Sequence, residues 1–117
     1  MQVLQRDSFI FADIHDLLQQ QFNRLTGLEQ QILYWLAINR EPVTLQELQQ
    51  DFINPIAPRI LLQSLASLQK RSLIEKSNSF WGLQTVVMEY VTYELILKTA
   101  EEINIKNINL LNFTFSK

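Results

Sequence analysis

Few side chains in this sequence are of types that carry out chemistry, and their spacing decides what they could do. His15 is the sole histidine and stands between Asp13 and Asp16. A hydrolase triad needs a nucleophile and an orienting carboxylate folded around the imidazole, and no serine here sits on a recognisable elbow. A zinc site would need further ligands. His15 is therefore read as a solvated helix-surface side chain. Asp13/Asp16 and Glu101/Glu102 could do general acid–base work only if burial split their pKa values; both pairs read as solvated charge. The two glycines, Gly27 and Gly82, cannot write a phosphate-cradling G-x-x-x-x-G-K-S/T loop or a G-x-G-x-x-G turn, and there is no cysteine for thiolate chemistry or zinc. No catalytic residue, metal or cofactor is assigned to the chain, and the enzyme class is the first excluded.

The elements that must position these residues follow from periodicity and caps. At 117 residues and 47% hydrophobic content the chain reads as one globular domain. The net charge of -2, without a charge block, gives no general pull toward nucleic acid or anionic membrane. The N-terminus is too polar for a signal peptide, and the longest apolar run, Ile32 to Ile38, is far short of the ~20 residues a membrane span needs. A cytoplasmic protein is expected.

Ile14, Leu17, Leu18, Phe22 and Leu25 recur at helical spacing and predict a helix over 13–25. Thr26-Gly27-Leu28-Glu29 and Thr44-Leu45-Gln46-Glu47 are capping boxes. The first opens a helix to about Ile38, with Leu28, Ile32, Trp35 and Leu36 on one face; the second opens a short helix to about Asp51. Between them Pro42 ends the first helix and Val43 adds a short strand. Pro58 suits the first position of a third helix, which runs to about Arg71 with Leu61, Leu62, Leu65 and Leu68 inward. Leu73–Lys76 and Phe80–Gln84 read as strands joined by the turn Ser77-Asn78-Ser79. Thr85 caps a last helix to about Ile103, apolar on two sides: Val87, Met88, Val91 and Leu95 on one, Val86, Tyr90, Tyr93, Leu97 and Ala100 on the other. The fold class is thus mainly α with a small β-hairpin, a winged helix-turn-helix with an extra N-terminal helix and a long C-terminal one. Its divisions are a lead-in (1–12), the winged-helix domain (13–103) and an apolar tail (104–117).

In a helix-turn-helix the second helix enters the major groove. The outward candidates for DNA contact are Arg59, Gln63, Ser64, Ser67, Lys70 and Arg71, with Lys76 on the wing. DNA affinity draws heavily on clustered cations at phosphates, and this set is sparse, so DNA binding stands as the alternative function. Trp35 and Trp81 read as core, with Trp81 also a candidate interface aromatic. A helix apolar on two sides needs burial on both, and one small domain covers only one of them.

The block Gln20-Gln21-Phe22-Asn23-Arg24-Leu25-Thr26, with Leu28 through Glu41 (Leu-Glu-Gln-Gln-Ile-Leu-Tyr-Trp-Leu-Ala-Ile-Asn-Arg-Glu), Arg71-Ser72-Leu73-Ile74-Glu75-Lys76 and Val86-Val87-Met88-Glu89-Tyr90-Val91-Thr92, resembles the winged-helix region of STAND-class signalling ATPases. It is most similar to that of cyanobacterial proteins with an NB-ARC core followed by WD repeats, and the likeness runs from about Phe9 to Leu111. The resemblance implies a regulatory module that packs against a nucleotide-binding core or repeat domain, while ADP or ATP is held by a separate ATPase core; apart from the resemblance, the two-sided last helix and the tail also allow packing against a second copy. The family's Met-His-Asp motif matches Met88-Glu89-Tyr90. An ionised Glu89 cannot donate to a phosphate as histidine does, so the implied contacts are with protein: Met88, Glu89 and Tyr90 at the start of the last helix, and Tyr93, Leu97 and Trp81 on its outer face and the wing.

Overall fold

Two threonines set the frame. In the computed structural model, which describes the backbone of residues 2–115 and the side chains of residues 13–102, both capping boxes close. The Glu29 N–H donates to Thr26 Oγ1 at 3.1 Å and the Thr26 N–H to Glu29 Oε1 at 3.0 Å. Thr44 and Glu47 repeat the exchange at 3.2 and 3.4 Å. The element order is α1 (Gln2–Asn23), α2 (Gly27–Asn39), α3 (Leu45–Asp51), α4 (Pro58–Lys70), β1 (Ile74–Ser77), β2 (Phe80–Leu83) and α5 (Thr85–Phe115).

Helix α2 stops on Arg40, which takes a left-handed φ of 63° and donates its N–H to the Leu36 carbonyl. Pro42 follows closely, so the helix cannot resume. Asn39 ties this end to α3: its side-chain amide donates to the Trp35 carbonyl at 2.9 Å and to Asp51 Oδ2 at 2.8 Å. The core lies where α2, α3 and α4 meet the wing and the first turns of α5. Ile32, Leu33, Leu36, Leu48, Leu61, Leu65, Leu68, Ile74 and Val91 are fully buried, and each such side chain contributes about 1.5–3 kcal/mol.

The wing is short. Strands β1 and β2 pair antiparallel from Ile74↔Leu83 to Ser77↔Phe80, and Asn78 takes φ 57° in the turn, a conformation asparagine tolerates well. The expected short strand at Val43 is a bridge to Trp81, with N–H···O distances of 2.8 and 2.7 Å. Gly82 lets this bridge close, because a Cβ there would stand 3.3 Å from Pro42 Cγ.

Four expectations need correction. Helix α1 begins at Gln2 and α5 continues to Phe115, beyond the expected limits at Asp13 and Ile103. Neither segment contains proline or glycine to stop it. The side chains of the expected apolar tail lie outside the described residues. Leu62 points to solvent, since α4 buries only the Leu61/Leu65/Leu68 stripe. Ile14 and Leu17 are exposed although they continue the apolar stripe of α1; among its described residues the helix buries Phe22, and His15 and Leu18 in part.

Candidate interaction surface

Helices α1 and α5 meet through rings. His15 lies edge-on to Tyr90 at 5.1 Å and to Tyr93 at 5.4 Å. Phe22 continues the row to Tyr90 at 6.0 Å and to Tyr34 of α2 at 5.5 Å. Edge-to-face pairs at these distances add roughly 0.5–1.5 kcal/mol beyond buried area, so the row fixes the crossing of the two helices. His15 is therefore half-buried against α5, a correction of the solvated reading: the other apolar side of α5 reaches it. Burial is the main cause that raises Tyr90 well above the ordinary phenol value, with the Glu94 carboxylate adding to it.

Of the residues proposed for partner contact, the structure turns Tyr90 and Trp81 inward. Tyr90 is buried with Val87 and Val91, and Met88 is half-buried against the core. Trp81 is 5% exposed, held by the Val43 bridge, with the Lys76 ammonium 5.1 Å from its ring. Its large ring belongs to the core. Glu89 is exposed, and Tyr93, Leu97 and Val86 present 49%, 41% and 49% of their surface to solvent. Together with Ile14 and Leu18 of α1 and the half-buried His15, Val86 and Tyr93 line a groove of about 620 Å³.

The basic candidates are divided. Arg59, Gln63 and Lys70 lie exposed along α4, and Ser64 is half-buried. Ser67 is half-buried and Arg71 is exposed, and both lie near Glu29. Glu29 is buried; burial pushes its carboxyl up, but the Thr26 N–H, the hydroxyls of Ser67 and Thr26, and the Arg71 charge together hold it below the usual value. Lys76 is engaged with Trp81, and the wing tip, Asn78-Ser79, carries no cation.

A second groove, of about 710 Å³, opens between α2, the α3–α4 turn and α5, where Trp35, Phe52, Ile38 and Ile53 meet Leu95 and Lys98. Ile53 is 99% exposed. Nothing in the sequence signalled this surface, because Phe52-Ile53-Asn54-Pro55-Ile56 reads as a turn. Lys98 places its ammonium 4.9 Å over Tyr34; interaction with the Tyr34 hydroxyl is the main cause that raises its pKa. Among the described residues, no three histidine, aspartate or glutamate side chains gather in a metal-binding group, and no helix is long and apolar enough to cross a membrane.

This arrangement defines a winged helix-turn-helix, and solved structures share it. MepR of Staphylococcus aureus, a transcription regulator of the multidrug efflux pump MepA, is similar at a TM-score of 0.53 and 17% identity, covering 97% of this chain and 95% of that one. A mutant of Lactococcus lactis ZitR is similar at 0.53 and 23% identity over 71% of this chain and 62% of that one. These likenesses establish the fold alone. In sequence, the chain is 63% identical over 102 residues to an uncharacterized WD repeat-containing protein of Nostoc sp.. The match covers 87% of this chain, which spans about 8% of the length of that relative. No protein-family model matches.

Proposed function

We propose that this chain is a non-catalytic winged-helix interaction module of an NB-ARC-type STAND signalling protein, packing against a nucleotide-binding core or a repeat domain. The observation that carries this is the uncovered apolar face of α1 and α5, built on a chain 63% identical to part of a WD repeat-containing protein. A contiguous exposed apolar face is a feature of interaction sites. Val86, Glu89, Tyr93 and Leu97 supply the contacts, while Met88 and Tyr90 act from inside by anchoring α5. Nucleotide would be held by the separate core. A rigid arm of this kind acts by packing in one state and moving in another.

The second reading is a DNA-binding regulator using α4, favoured by the fold shared with MepR. Against it stand the net charge of -2 and a wing whose one lysine, Lys76, lies 5.1 Å from the Trp81 ring, with no cation at its tip.

One experiment separates the two. The chain is titrated calorimetrically with the Nostoc relative from which the matching segment has been deleted, and by fluorescence anisotropy with labelled duplex DNA at low and physiological salt. Saturable binding to the protein without DNA binding at micromolar chain is expected. DNA binding that weakens steeply with salt, with no protein binding, overturns the proposal.

A further inference from the structure

The α1–α5 groove has a chemistry that selects its occupant. Its walls are apolar side chains of Ile14, Leu18, Val86 and Tyr93, and the charges that line it, Asp16 and Glu89, are both acidic. Both are exposed. The imbalance extends along the helices. Residues 13–23 of α1 and 85–97 of α5 contain Asp13, Asp16, Glu89 and Glu94, and no lysine or arginine.

The geometry also selects a shape. Val86, Glu89, Tyr93 and Leu97 form a stripe at helical spacing, and at 1.5 Å per residue it runs about 16 Å, or three turns. A helix with apolar anchors at i, i+3/i+4 and i+7 matches such a groove. The groove volume of about 620 Å³ lies within the range of roughly 300–1,000 Å³ typical of ligand pockets.

We propose that the α1–α5 groove receives a basic amphipathic helix of a partner, its apolar stripe seated between Ile14 and Tyr93 and its lysines or arginines facing Asp16 and Glu89. The assignment rests on the interaction-module reading and names the chemistry of that module's partner. A second copy of this chain is disfavoured by the same charges. A two-fold interface apposes like patches, so two such grooves face to face would bring Asp16 and Glu89 near their own counterparts, and like charges suppress such pairing.

The test uses the full chain and two labelled helical peptides. Both carry leucines at i, i+3/i+4 and i+7; one is flanked by lysines, the other by glutamates at the same positions. A scrambled lysine peptide of equal composition controls for simple charge attraction. The ordered lysine peptide is expected to bind about tenfold tighter than either control, and more weakly at high salt, where charges more than about 3–8 Å apart are screened. Asp16→Lys and Glu89→Lys, both at exposed positions, are expected to reverse the preference between lysine and glutamate peptides while circular dichroism stays unchanged. Equal binding of the ordered and scrambled peptides, or no binding at about 100 µM, overturns the proposal. Sedimentation showing a dimer that Val86→Glu dissociates also overturns it and gives the groove to a second copy. If the peptides fail while the segment-deleted Nostoc protein still binds, only the basic-helix assignment falls; if both fail, the interaction-module reading falls with it.

Discussion

Glu29 joins a helix cap to a buried charge, so one substitution tests both. Its carboxylate caps α2 through the Thr26 N–H at 3.0 Å, and the Ser67 hydroxyl of α4 and the Arg71 charge just past that helix add smaller favourable contributions. Glu29→Ala removes the reciprocal cap, which costs about 1 kcal/mol. The expected loss is about 1–2 kcal/mol at neutral pH, read by urea denaturation. Glu29→Gln keeps the shape and isolates the charge. Folded Glu29 titrates below its ordinary value of 4.5, so between these two pKa values the unfolded chain binds more protons. The ionised carboxylate therefore stabilises the fold above about pH 4.5, and this contribution is lost as pH falls through the folded pKa. The stability difference between the protein and Glu29→Gln should be largest near pH 7 and shrink in acid. A difference that is constant with pH, or absent at pH 7, refutes the claim that the Thr26 N–H and hydroxyl, Ser67 and Arg71 together favour the ionised carboxylate in the fold.

Other outcomes follow from burial and ring geometry. Trp81→Ala should lose about 3–5 kcal/mol, measured by thermal or urea unfolding, because it empties the seat of the wing that Val43 bridges. Leu65→Ala, at a fully buried position, should cost about 2–5 kcal/mol, whereas Leu62→Ser, three residues earlier and exposed, should change stability by no more than about 0.5 kcal/mol. Tyr90, with its phenol raised by burial and Glu94, stabilises the fold below the ordinary phenol value of 10.0, and that contribution is lost as pH rises toward the folded pKa. Tyr90→Phe should remove this alkaline loss, followed by urea unfolding between about pH 9 and pH 11.

Local signals made much of the fold legible. Thr26 with Glu29 and Thr44 with Glu47 announce helix starts in four residues each, and Pro58 announces a third, because these depend on backbone groups within one turn. The wing was legible for a similar reason: two short apolar strands flank a turn whose asparagine accepts a left-handed φ. Helix ends were harder. Nothing between Thr85 and Phe115 is a strong breaker, so the expected stop at Ile103 had only weakening periodicity behind it. His15 was misplaced because its burial comes from Tyr90 and Tyr93, more than seventy residues away in sequence, and no local pattern reports such a contact.

The candidate surface was harder still to read, and α5 shows why. A helix apolar on two sides does not say which side its own domain takes. The division expected for α5 placed Tyr90 with Val86 and Tyr93 on the outer side. The domain instead takes Val87, Tyr90 and Val91 inward, since Phe22 and His15 of α1 supply rings that Tyr90 can meet edge-on. That choice leaves Glu89 outside, between Val86 and Tyr93 along the same stripe. A residue matched by likeness to a phosphate-facing histidine thereby becomes a wall of an acidic groove. The exchange is physically consistent: a carboxylate gains nothing beside a phosphate and gains charge-assisted hydrogen bonds beside a lysine or arginine. The identity of Glu89 and the uncovered stripe around it therefore point to the same kind of occupant, a cationic helix and not a nucleotide.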